Sequence, residues 1–146
     1  MTNHKEIILN LFTKKEQKSV WIPPVIDIDA VPVATWIHPS GHLGFVIHND
    51  GENLHGIMFD RLASVSTATA GRASMCQWCK SVRNTGNVRL FTRRTSDNKS
   101  AGILLCSDLD CIASIKNPGA DAFSESLTRT EKIERYYKNV KEYINL

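Results

Sequence analysis

The sequence predicts an α+β fold: an antiparallel β-sheet, then a cysteine-rich segment, then a helix. Three observations carry this prediction. Apolar residues recur with a period near two between positions 33 and 60, with turn residues about every ten positions. All four cysteines fall in the stretch from Met75 to Ala113, in the pattern C-x2-C-x26-C-x4-C. Beyond position 128 the apolar period becomes that of a helix.

At 146 residues the chain is long enough for one domain with one hydrophobic core. Its 42% hydrophobic and 23% charged residues are ordinary for a globular protein and argue against disorder. No apolar run approaches the roughly 18 residues of a membrane-spanning helix. The start, Met1-Thr2-Asn3-His4-Lys5-Glu6, lacks the layout of a secretory signal, so a cytoplasmic location is expected. Thiols stay reduced there, which favours a metal over two disulfides. The net charge of +3 is unevenly spread. Between positions 72 and 99, Arg72, Lys80, Arg83, Arg89, Arg93, Arg94 and Lys99 stand against Asp97 alone. Seven cations less one anion give that window +6, so the rest of the chain carries −3. A basic face of this kind suits an acidic partner, nucleic acid or protein.

The elements follow in order. Ile7, Ile8, Leu11 and Phe12 form one stripe of a helix over 3–18, with Asn3 and Glu6 placed to cap it. Lys14 to Lys18 reads as a solvated face or exit. Trp21-Ile22-Pro23-Pro24 ends any helix, because two prolines fix an extended chain. A short extended stretch, Val25 to Asp29, follows. Val33–His38, Leu43–His48 and Leu54–Phe59 are three strands, joined at Pro39-Ser40-Gly41 and Asn49-Asp50-Gly51. Ala63–Ala73 is small and polar, a linker or a loop over the sheet. Val88–Arg93 and Ala101–Leu105 are two more strands, with Arg94–Ser100 as their hairpin loop. A helix runs from Cys111 through Ile115 and stops near Asn117-Pro118-Gly119. The last helix starts at Thr128 with Glu131 completing a capping box. Its stripe is Ile133, Tyr136, Tyr137, Val140, Tyr143 and Ile144, too wide for both adjacent tyrosines to be central. The expected organisation is one unit over 1–146: helix and meander over 1–73, the cysteine segment over 74–118, and the final helix over 124–146.

Two close cysteine pairs, one hairpin apart, are the ligand spacing of a four-thiolate zinc site. Cys76 and Cys79 sit in a tight turn whose amides stabilise thiolates. Cys106 ends a strand, and Cys111 starts a helix whose dipole favours the thiolate. Knuckle, hairpin and helix in this order make a treble-clef finger. Four cysteines close the shell, so one structural zinc ion per chain is expected, with no open position for catalysis.

Met75-Cys76-x-x-Cys79, then Leu90-Phe91-Thr92-Arg93-Arg94, then Leu105-Cys106-Ser107-Asp108-Leu109-Asp110-Cys111 resembles the treble-clef domain of elongation-factor-G-binding proteins. These form the FBP family, which includes the FusB-type fusidic-acid-resistance proteins. The match is strongest over 75–112 and looser elsewhere, at Trp36-Ile37-His38-Pro39 and Leu127-Thr128-x-x-Glu131. The resemblance implies a finger packed on an antiparallel sheet. It also implies binding to translation elongation factor G, which in the resistance proteins helps free the factor from stalled ribosomes. Two-domain relatives carry a separate N-terminal helical domain, whereas one short helix precedes the sheet here. The chain looks like a short, single-domain branch. The resemblance carries over factor binding and leaves drug resistance open.

Arg89, Phe91 and Arg93 alternate on one face of a strand, with Arg94 and Lys99 beyond. If exposed, that face is a partner-binding surface built from arginine and an aromatic ring. In the opposite case Phe91 is core and the arginines extend past it. The ribosome or its RNA would use the same features, through phosphate contacts and base stacking, and is the competing partner. His38, His42, His48 and His55 have no recognised ligand spacing and read as turn and surface residues. No Gly-rich phosphate loop and no nucleophile elbow is present, so neither an enzyme nor a small-molecule substrate is expected.

Overall fold

The computed structural model describes residues 4–24, 26, 32–61, 73–84, 88–96, 99–116 and 127–144. At the N-terminus, helices α1 (His4–Leu9) and α2 (Lys14–Gln17) replace the single helix expected over 3–18. The break has a local cause. Leu11 and Phe12 close tight turns onto Ile8 and Leu9. Thr13 then restarts the helix: its hydroxyl accepts from the Glu16 amide at 3.2 Å, and its own amide donates to the Glu16 carboxylate at 3.1 Å. The expected Asn3 cap lies outside the described residues. So do the stretch after Pro24, apart from Ile26, and the expected linker up to position 72.

The three-stranded meander forms as expected: β1 (Val33–Ile37), β2 (Leu43–Asn49) and β3 (Leu54–Arg61), paired antiparallel. Gly41 and Gly51 in the two turns have φ of 80° and 96°, where a side chain would be strained. Short strands β4 (Ala73–Met75) and β5 (Val82–Asn84) pair across the first cysteine pair. Strands β6 (Val88–Ser96) and β7 (Lys99–Cys106) are longer than expected, so most of the expected loop over 94–100 is ladder. Their register shifts between Arg94 and Ser96. The main sheet has the order β1-β2-β3-β6-β7. β3 meets β6 through only two pairs, Asp60 with Thr92 and Arg61 with Phe91.

Strand alternation gives the sheet two buried faces. On one, Phe45 and Ile47 of β2 and Trp36 of β1 pack with Ile8 and Phe12 from the N-terminal helices. The Trp36 indole also donates to the Trp21 carbonyl at 2.7 Å, which holds the proline segment against this face. On the other, Val46, Ile57 and Phe59 join the cysteines and helices α3 (Cys111–Lys116) and α4 (Arg129–Ile144). The α4 stripe is the one expected. Tyr136 and Val140 are buried, and Ile133, Tyr137, Tyr143 and Ile144 pack around them. Its capping box is present, with Thr128 and Glu131 exchanging bonds of 3.0 and 3.1 Å. No described helix is long and apolar enough to cross a membrane.

Candidate metal centre

Four sulfurs converge between the knuckle, the end of β7 and the start of α3. Those of Cys76, Cys79, Cys106 and Cys111 all lie within 4.8 Å of one another, and all four residues are buried. Cys76 and Cys111 are 3.7 Å apart, Cys79 and Cys106 3.5 Å, and none is disulfide-bonded. A zinc ion about 2.3 Å from each of four sulfurs implies tetrahedron edges of about 3.8 Å. The set therefore suits one zinc ion with a closed shell.

Local backbone geometry makes the convergence possible. The Lys80 amide bonds the Cys76 carbonyl at 2.9 Å and the Cys76 amide bonds the Ser81 carbonyl at 3.0 Å. Lys80 takes φ of 62° to close this turn. In the second ligand loop the Leu109 amide bonds the Cys106 carbonyl at 2.9 Å, with Leu109 at φ of 58°. That loop is stapled to the sheet: the Thr35 hydroxyl donates to the Leu109 carbonyl at 2.8 Å, and Arg61 Nε to the Ser107 carbonyl at 2.7 Å. Helix α4 holds the knuckle from the other side. Arg135 donates to the Cys79 carbonyl at 3.1 Å and Asn139 to the Trp78 carbonyl at 2.7 Å, one helical turn apart.

The electrostatics favour a cation. Hydrogen bonds from Cys106 and then Cys111 pull the Cys76 and Cys79 thiols below the ordinary range. The Cys111 thiol is pushed up by its bonds with Cys106, Cys76 and Cys79 and by burial. Four sulfurs this close cannot all ionise alone, whereas a divalent ion lets them. The hydroxyls of Ser81 and Ser114 lie 3.2 and 3.4 Å from the Cys79 and Cys106 sulfurs. Sequence reasoning missed these, as it missed Thr35, Arg61, Arg135 and Asn139.

The expected contact face needs one correction. Phe91 is fully buried, edge-on to Phe59 with ring centroids 6.0 Å apart, and belongs to the core. Tyr143 of α4 packs on the same Phe59, so the helix covers the face that Phe91 points to. Arg89 and Arg93 flank Phe91 and are half-buried. The side chains of Arg94 and Lys99 lie outside the description. His48 is also corrected: it is buried, stacked on His55 at 6.3 Å, while His55 faces Asp50 at 3.4 Å.

A four-thiolate treble clef packed on an antiparallel sheet defines the class: a zinc-finger protein of α+β fold. The sequence model described as FBP C-terminal treble-clef zinc-finger matches residues 7–146, and the chain belongs to that family. Among solved structures, the fusidic acid resistance protein FusC shares the fold, at a TM-score of 0.51 and 14% identity. The alignment covers 99% of this chain and 57% of that protein. No curated protein sequence matches the chain.

Proposed function

We propose that this chain is a non-enzymatic binding module that engages translation elongation factor G at or near the ribosome, in the cytoplasm. The family match over residues 7–146 carries the reading. Charge supports it, since the window that holds the hairpin carries +6. The proposed contact side chains are Arg89, Arg93, Arg94 and Lys99. Arg93 lines a cleft of about 330 Å3 with His55, Asn10 and Ile144. The zinc ion has a structural part: Cys76, Cys79, Cys106 and Cys111 hold the finger that presents the hairpin. Residues 1–146 act as one unit in this reading. Release of the factor from stalled ribosomes, and with it tolerance of fusidic acid, is the activity to assay.

A pull-down from nuclease-treated lysate tests the reading. Elongation factor G should be retained by the native chain and lost by the Arg93→Glu/Arg94→Glu variant, with zinc content unchanged. Recovery of RNA alone, or loss of all binding after nuclease, would transfer the assignment to ribosomal RNA.

A further inference from the structure

The seam between β3 and β6 places two arginines together that are far apart in sequence. Cross-strand partners share a face, as do positions two apart on one strand. Arg61 pairs with Phe91, so Arg89 is its diagonal neighbour on the Phe91 side. Phe91 fills the core, and the two arginines are half-buried beside it. Arg61 is fixed in place. Its Nε donates to the Ser107 carbonyl at 2.7 Å, and a terminal nitrogen donates to the Gly41 carbonyl at 2.9 Å. Its remaining N–H groups have no protein acceptor among the described residues. Arg89 Nε is enclosed and also has none. Neither arginine makes an ion pair among the described residues.

Burial, then the neighbouring Arg89 charge, pulls Arg61 below its ordinary value, and Asp108 opposes this only in part. Two like charges at diagonal positions of one face, with unsatisfied donors, cost free energy that a bound anion would reduce. Guanidinium forks match a carboxylate or a phosphate in geometry. The surroundings choose between them. Asp108 and Asp110 are exposed on the loop that Arg61 grips. They repel a strand of repeated phosphates and tolerate a single charge.

We propose that Arg61 and Arg89 form a two-guanidinium clamp for one carboxylate side chain of a protein partner. The proposal rests on the reading that this chain binds an acidic protein surface, and it adds Arg61 to that surface. The test uses the zinc-loaded full chain and follows the Arg Nε–Hε resonances. A blocked Ala-Glu-Ala peptide, which carries one carboxylate, should shift the Arg61 and Arg89 signals saturably, and more strongly than tetrauridylate does. Arg89→Gln should keep its zinc, melt no lower than the native chain because one of two like charges is gone, and bind the peptide about tenfold more weakly. Unmoved signals in the native chain, equal peptide binding by Arg89→Gln, or a stronger response to tetrauridylate would each overturn the clamp. Elongation factor G serves as a separate arm. Equal capture by the native chain and Arg89→Gln overturns the clamp and leaves the partner reading standing. Failure of the native chain to capture the factor, with the peptide shifts intact, supports the clamp and removes that partner.

Discussion

Cys106 is the residue on which most of the finger converges. Its sulfur lies 3.5 Å from that of Cys79 and 3.4 Å from the Ser114 hydroxyl, and its carbonyl closes the second ligand turn. Cys106→Ser replaces a thiolate with a hydroxyl that zinc binds poorly. Metal analysis should show loss of the bound ion, and near-ultraviolet dichroism should show loss of packing around Trp78, because structural zinc contributes folding free energy directly. A full complement of zinc with a native-like melt would refute the assignment. Asp50 makes a separate, pH-dependent contribution. Its carboxylate accepts the amides of Asn53 and Glu52, which hold it at about 2, below its ordinary 3.8. The folded value is the lower one, so the stabilisation is complete above about 3.8 and disappears as pH falls through about 2. Urea midpoints of the native chain and Asp50→Asn should differ at neutral pH and converge below pH 2. A constant difference across that range would remove the carboxylate as its source.

At the scale of elements, the strands of the meander and the final helix were legible because their patterns are local. Alternation and the Pro39-Ser40-Gly41 and Asn49-Asp50-Gly51 turns mark the meander, and Thr128 with Glu131 marks the helix start. The cap is testable on its own: Thr128→Ala should cost about 1 kcal/mol in urea unfolding, with zinc content unchanged. The four ligands were legible for a similar reason, since the cysteines are few and closely paired. Other features are set by contacts that no spacing announces. Thr35 reaches Leu109 across 74 positions, and Arg61 reaches Ser107 across 46. Phe91 illustrates the same limit. Alternation placed it with Arg89 and Arg93, but which side of the sheet α4 covers is decided by packing. Gly44 records how close that packing is. A Cβ there would lie 2.8 Å from Leu109 Cδ1 and 3.1 Å from Phe91 Cε1, so β2 passes directly beneath the ligand loop. Gly44→Ala should destabilise the chain by about 1–3 kcal/mol, read as a lowered urea midpoint.

For the whole molecule, the sheet divides the buried residues into two clusters of different origin. One joins Ile8 and Phe12 of the N-terminal helices to Trp36, Phe45 and Ile47, and contains no metal ligand. The other contains all four cysteines with Trp78, Tyr136 and Val140, so its packing depends on sulfurs that a metal brings together. Helix α4 belongs wholly to the second, through its apolar stripe and through Arg135 and Asn139 on the knuckle carbonyls. Chelating the zinc should therefore loosen the molecule unevenly. Amides of α3, α4 and β7 should lose hydrogen-exchange protection first. Those between β1 and β2, which pair over five residues and are covered by the other cluster, should lose it last. The surface proposed for the partner lies on the metal-dependent side, because Arg61, Arg89 and Arg93 share the face of Phe91. Capture of the acidic partner should then fall with the first phase of exchange, while Trp36 is still buried. Simultaneous loss of protection throughout the chain would mean that the two clusters unfold as one and that zinc holds the entire fold.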